Sequence, residues 1–261
     1  MLGDFTWVDS FEGGTILILL VVAAALGSQW TIRHRLGKET LQSFHEVGGY
    51  YMSAVGTLYA VILGLVVVDT SNKFSEARAN VVSEANALTE VYALAEKMPD
   101  GQGQAIKSAI RLYIDIAVKD GWSHMQNEER DPAEALAYRE VLNATRNVEP
   151  ETENQKALYP ALIDSFKAAT ESRRGRLNFE QYNIPKVEWF SLVIGGIITI
   201  AFTLFFAIDN QLAQSLMTGM VAFMLSLNLY IAFLFNSPYS GDLQVSREPF
   251  LHLQRFIQAY P

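Results

Sequence analysis

Gly49, Ser53, Gly56, Ala60 and Gly64 recur at gaps of four, three, four and four. On a helix that spacing places all five on one face. Inside a membrane such a face has two uses. It lets a second helix approach closely. It also lines a conduction path, where backbone and hydroxyl groups meet an ion without a fixed charge. Ser191, Gly195, Thr199 and Thr203 repeat the pattern at strict fours, and Thr218, Ala222 and Ser226 do so again. Asn228 lies deep in the last of these segments, where an amide suits a hydrogen bond between helices. Asp69 and Asp209 end two of the apolar stretches. They are candidate members of a charged ring if copies of the chain assemble around an axis.

Other chemistry finds few candidates. Of the four histidines, His34, His45, His124 and His252, none stands four residues from another. No carboxylate completes a metal-binding spacing around them. The absence of cysteine excludes a thiolate metal site, a thiol nucleophile and a disulfide scaffold. No Gly-x-Ser-x-Gly elbow occurs. Gly101-Gln102-Gly103 follows a helical stretch rather than a strand, and reads as a turn instead of a phosphate cradle. We therefore expect no enzyme: no catalytic residues, no cofactor and no metal.

The elements that carry the small-residue faces are set by hydrophobicity. Half of the 261 residues are hydrophobic and only 18% are charged, against about 25% in soluble domains. The net charge of −8 removes nucleic acid as a partner. Four stretches lack Asp, Glu, Lys and Arg altogether: Gly13–Ile32, Val47–Val68, Trp189–Ile208 and Asn210–Ser240. Each has about the 20 residues that a helix needs to cross a bilayer. Trp30, Tyr50, Tyr51 and Trp189 sit where interface anchors belong. Residues 1–12 carry Asp4, Asp9 and Glu12 but no Lys or Arg, which is the wrong charge for a signal peptide. No charge lies mid-span, which argues against a proton-coupled transporter or a voltage sensor.

Between the second and third stretches the pattern becomes amphipathic. Phe74, Ala77, Val81, Ala85, Leu88, Val91 and Ala95 recur at threes and fours. No breaker separates them from Val68, so one helix is predicted to run from span two through Ala95 and to stop at Pro99-Asp100-Gly101. Further helices are predicted over Gln104–Trp122, from Asp131-Pro132, and over Glu153–Phe179, which either tolerates Pro160 or bends there. Ile184-Pro185 marks the joint into span three. The fold expected is all-α: an integral membrane protein with four transmembrane helices and a helical extramembrane bundle inserted between spans two and three. Its segments are an N-terminal piece (1–12), a first hairpin (13–68), the bundle (69–187), a second hairpin (188–235) and a C-terminal tail (236–261). Arg173, Arg174 and Arg176 in the last bundle helix are expected to pair with Glu76, Glu84 or Glu90 on the first, or to contact lipid headgroups.

Orientation is contested by two signals. Arg33, His34, Arg35 and Lys38 sit between spans one and two, and by the positive-inside rule they put the bundle outside the cytoplasm. Lys73, Arg78 and the arginines before span three count the other way.

Three segments resemble the bacterial bestrophin-like membrane family. The first is Gly56–Pro99, with Phe74-Ser75-Glu76-Ala77-Arg78 and then Glu84-Ala85-Asn86-Ala87-Leu88. The second is Glu171–Trp189, with Arg173-Arg174-Gly175-Arg176-Leu177 and Ile184-Pro185. The third is Phe235–Phe250, with Ser237-Pro238-Tyr239-Ser240-Gly241. The resemblance implies a likeness to bestrophins, pentameric anion channels with four spans per subunit and a cytosolic helical domain. It thus implies a homo-oligomeric ion channel in the bacterial inner membrane, with lipid and inorganic ions as partners, and it places the bundle in the cytoplasm. It transfers no individual functional residue. Two other readings stand beside it: a non-conducting sensor or scaffold whose bundle binds a ligand or protein, and a motor-stator-like subunit.

Overall fold

The computed structural model describes residues 7–43, 45–126, 130–179 and 184–260. The described chain is helical, with no strand among the described residues. The helices are α1 (Phe11–Leu36), α2 (Lys38–Ser43), α3 (His45–Ala95), α4 (Asp100–Ile116), α5 (Trp122–Gln126), α6 (Pro132–Arg146), α7 (Glu153–Phe179), α8 (Lys186–Leu204), α9 (Gln211–Asn236) and α10 (Glu248–Ala259). Four of them are long and apolar enough to cross a membrane: α1, the first part of α3, α8 and α9. The chain divides into two compact units. One, the membrane unit, holds α1, α2, α3 as far as Asn72, α8, α9 and Gly241–Leu243. The other, the helical unit, holds α3 from Lys73, α4 to α7, and α10.

Local chemistry explains most helix ends. Ser10 caps α1, its Oγ accepting from Gly13 N at 3.1 Å. Arg33, His34 and Arg35 close the same helix, where cations suit the dipole. Asp131 caps α6, its Oδ1 accepting from Ala133 N at 2.8 Å, with Pro132 at the first helical position. Pro160 lies inside α7 without ending it. Pro185 starts α8.

α3 is one unbroken helix of 51 residues, roughly 75 Å long at 1.5 Å per residue. Within the helical unit its Ala77, Val81, Ala85, Leu88, Val91 and Ala95 are buried in a common core with Ile106, Ile110 and Ile114 of α4, Val141 of α6 and Leu162 of α7. Phe250, Leu253 and Ile257 of α10 complete that core. Sequence reasoning assigned no helix to this C-terminal stretch.

Three expectations are corrected in detail. The charge-free stretch runs to Ile208, but α8 stops at Leu204. The backbone beyond it finds side-chain donors: Gln214 Nε2 donates to Phe206 O, and Arg33 Nη1 donates to Ile208 O at 3.1 Å. A helix can therefore end there without a charge to mark it. α4 begins at Asp100, not Gln104. Gly101 and Gly103 belong to its first turn, where Gly103 lies so close to the Ala95 carbonyl that a Cβ has no room. Among the described residues Asn228 bridges no helices, its Nδ2 donating back to Met224 O of its own helix at 2.8 Å.

Gly241 and Asp242, after α9, have a clear purpose within the membrane unit. Gly241 has φ +72, and its position would set a Cβ 2.7 Å from Asp9 O. Asp242 N donates to that same carbonyl at 3.1 Å, and the Asp242 carboxylate accepts from Phe11 N at 2.8 Å. Gly241 and Asp242 thus secure the start of α1. Gly241→Ala meets both the left-handed backbone and the carbonyl. It is expected to destabilise the protein by more than about 1 kcal/mol, measured as a lowered thermal midpoint in detergent.

Candidate functional site

The three small-residue faces have different fates in the membrane unit. On α8, Gly195 and Gly196 lie against the ring and hydroxyl of Tyr59 of α3. Tyr59 is buried, and its hydroxyl donates to Leu192 O at 3.0 Å. Leu63 and Leu192 share that cluster, with Val66, Val67, Trp189, Leu225 and Leu229 around it. Thr199 is buried and Thr203 half-buried, each bonding its own helix through its hydroxyl, while Ser191 is exposed. On α9, Thr218, Ala222 and Ser226 are all buried. Gly14 of α1 packs against Tyr230 of α9 with no room for a Cβ. Apart from Ser191, both faces are therefore taken up within the chain itself, as close helix packing requires.

The face on span two is left open. Gly49, Ser53, Ala60 and Gly64 are exposed and Gly56 is half-buried. A Cβ added at Gly49 or Gly64 would meet nothing within 4 Å, and at Gly56 only Met52 Cε of the same helix, at 4.0 Å. Of the most apolar 18 residues of this span only 11% are buried, the lowest share among the four spans. Tyr59 and Leu63 anchor one side of the helix, and the small residues look elsewhere.

The candidate ring charges lie at opposite ends of the spans. Asp69 is exposed at the end of span two that leads into the helical unit. Asp209 is exposed in the loop between α8 and α9, where its Oδ1 accepts from Gln42 Nε2 at 3.5 Å. The two residues therefore do not come together within one chain. Near Asp209, buried Gln214 accepts from Arg33 and donates to Phe206 O, which ties α1, the α8–α9 loop and α9 together.

The helical unit holds a second candidate, built from charge. Arg176 of α7 is fully buried. Its Nε donates to Glu84 Oε2 of α3 at 2.8 Å, and its Nη2 to Glu134 Oε1 of α6 at 2.7 Å and to the Tyr113 hydroxyl of α4 at 3.0 Å. Nη1 points at Met125 Sδ at 3.0 Å. Tyr113 in turn donates to Glu84 Oε1. Arg173 Nη2 reaches Glu134 Oε1 at 3.3 Å, and its guanidinium lies 4.5 Å from the centre of the Tyr138 ring. Two arginines thus balance two carboxylates drawn from α3, α6 and α7. Gly121, in a wide helical turn over Ala117–Gly121, lies against Glu134 Oε2 with no room for a Cβ.

The expected pairing of the arginine cluster with α3 is found for Arg176 and Glu84. Glu134 and Tyr113 were missed. Glu134 stands in the first turn of α6, where an acid is ordinarily solvated. Tyr113 falls on the apolar stripe of α4, beside Ile110 and Ile114. Neither carries a local signal for a partner far away in sequence.

The cluster shifts its own titrations. Burial pushes the Glu134 carboxyl up, but the charge and hydrogen bond of Arg176, helped by Arg173, hold it below the ordinary carboxylate value. Burial, reinforced by Glu84, pushes the Tyr113 hydroxyl well above the usual tyrosine range. Burial likewise takes Tyr138 up to about 12. The depressed Glu134 stabilises the fold above its unfolded value of 4.5, and that stabilisation disappears as pH falls through the lower folded value. The raised Tyr113 acts at the other end: the unfolded chain ionises it near 10 before the folded chain does, so stability falls as pH rises past 10. Thermal midpoints of the helical unit are expected to hold across the plateau between these limits and to drop outside it. A midpoint that declines steadily from pH 8 to pH 5 would contradict this.

Four spanning helices and an all-helical chain define a membrane protein of helical class. A family model described as a bestrophin-like domain matches residues 19–250, and the chain belongs to that family. Solved structures agree at the level of fold. Two single-substitution variants of a bacterial bestrophin homologue from Klebsiella pneumoniae superpose with TM-scores of 0.72 and 0.73, each at 13% identity. They cover 93% and 94% of this chain, and 98% and 97% of their own. The same homologue phased with zinc gives 0.70, at 13% identity, over 93% of this chain and 97% of its own. A search of curated proteins finds no match.

Proposed function

We propose that this chain is the subunit of an oligomeric ion channel in the bacterial inner membrane, with the open face of span two turned toward the conduction path. One observation supports this above the rest. Three spans carry small-residue faces; two are largely taken up by packing within the chain, and among the described residues of the membrane unit that of α3 is left mostly open. Copies arranged around an axis would bring Gly49, Ser53, Gly56, Ala60 and Gly64 together, offering an ion backbone and hydroxyl dipoles without a fixed charge. Asp69 and Asp209 would then form rings at opposite mouths. Family membership supports the same reading.

A second reading has its own observation. α3 is continuous from span two into the core of the helical unit. A non-conducting sensor or scaffold could use that helix to carry a shift from a bound ligand or protein. Flux from liposomes holding the purified protein, with Cl⁻ and K⁺ gradients tested separately, decides between the two. The channel reading expects protein-dependent flux, and expects Gly56→Leu to reduce it by an order of magnitude while assembly persists. Flux unaffected by Gly56→Leu at normal assembly removes this face from the path. No flux from folded, oligomeric protein favours the sensor.

A further inference from the structure

The helical unit buries a mainly aliphatic side of α3, Ala77, Val81, Ala85, Leu88, Val91 and Ala95, beside Tyr92, which bonds Arg111 of α4 and Tyr260. The aliphatic residues bury area but specify the register against α7 poorly, because neighbouring registers bury similar area. The charged cluster supplies what they lack. Glu84 of α3 receives Arg176 of α7 at 2.8 Å, and both are buried. Close by, Gly175 brings α7 so near to α3 that a Cβ would lie 2.6 Å from the Asn80 amide group. Asn80 and Glu84 stand one helical turn apart. A slip of one turn, about 5.4 Å, would leave Arg176 and Glu84 buried without each other, an arrangement that proteins avoid.

We propose that Glu84 and Arg176, braced by Glu134 and Tyr113, are positioning residues that hold α3 and α7 in a single axial register, so that the helix bearing span two cannot slide against the helix preceding span three. α3 runs without a break from span two into this core, so its register there is expected to bear on flux, a step that rests on the channel reading; the register itself does not.

The chain has no cysteine, which makes site-specific labelling direct. Nitroxides at Glu90→Cys and Lys167→Cys, both exposed, report the α3–α7 distance by double electron–electron resonance, with labelled chain diluted in unlabelled chain. One narrow distance is expected in the parent. Glu84→Gln is expected to broaden it or split it in two. Arg176→Lys keeps the charge but cannot fork to both carboxylates, so it tests the same point should Glu84→Gln fail to fold. A distribution that stays single and unshifted in every folded variant overturns the proposal.

Flux gives the second arm. Glu84→Gln is expected to change it several-fold. A disulfide between Asn80→Cys and Gly175→Cys, where a Cβ at 175 would lie 2.6 Å from the end of the Asn80 side chain, is expected to restore parental flux, and reductant to abolish the rescue. Parental flux in a variant whose distance has broadened overturns the positioning role and leaves the channel standing. A parent that conducts nothing sinks the channel reading, and the distance measurement still decides the register.

Discussion

Replacing Arg176 with alanine is expected to unfold the helical unit under conditions where the parent is stable. The side chain is the hub of its cluster, bonding Glu84, Glu134, Tyr113 and Met125 from four different elements. Its loss leaves Glu84 buried with the Tyr113 hydroxyl as its donor among the described residues, and leaves Glu134 with Arg173 and Tyr113. Removing one partner of a buried ion pair costs about 3–5 kcal/mol. A typical domain has about 5–15 kcal/mol in total, so the change is a large fraction of the whole. The guanidinium also lies 5.4 Å from the centre of the Phe250 ring of α10, and alanine abandons that contact as well. Arg176→Lys keeps a charge but cannot fork to two carboxylates and a hydroxyl; an intermediate loss is expected. Thermal unfolding followed by circular dichroism, with limited proteolysis to locate the exposed region, measures both. An Arg176→Ala midpoint within a degree or two of the parent would mean that the cluster is not the closed network described.

What the sequence revealed follows from how local each cause is. A bilayer forbids charge over about 20 residues, so the spans stand out one by one. The continuity of α3 was legible because no proline lies between Val47 and Ala95 and the apolar stripe starts where the span stops. Asp131-Pro132 was legible because a cap is made within three residues. The end of α8 was not, because its terminating partners, Arg33 and Gln214, come from other helices. Gly103 looked like a turn, though its lack of a side chain serves a close contact with Ala95. Phe250, Leu253 and Ile257 have helical spacing, yet so short a pattern after a span reads as a tail until the core it fills is known. The pairing of Arg176 with Glu84 was half visible in two charged helices. Glu134 and Tyr113 were invisible, since nothing near either residue names its partner.

The small-residue faces show the same limit most sharply, and they yield the second large effect. Gly195 and Gly64 are both span glycines in runs of small residues at near-identical spacing. Packing separates them. A Cβ at Gly195 would run into the Tyr59 ring, and Tyr59 is the buried centre of the α3–α8 contact. Gly195→Leu must push α8 off α3 or expel Tyr59, and overpacking of this kind typically costs about 1–3 kcal/mol or more. The expected result is a marked fall in the yield of folded protein, seen as aggregation by size-exclusion chromatography. Gly64→Leu meets nothing within 4 Å in the protomer, so the chain itself is expected to fold and insert as the parent does. Its effect belongs to whatever covers that face. Where copies set the face on a conduction path, four added carbons per subunit narrow it, and flux is expected to fall by at least an order of magnitude with assembly intact. Where copies pack tightly through the face, assembly is lost instead and the protein elutes smaller. Where lipid covers it, flux and assembly both match the parent, and the span-two face has no part in function.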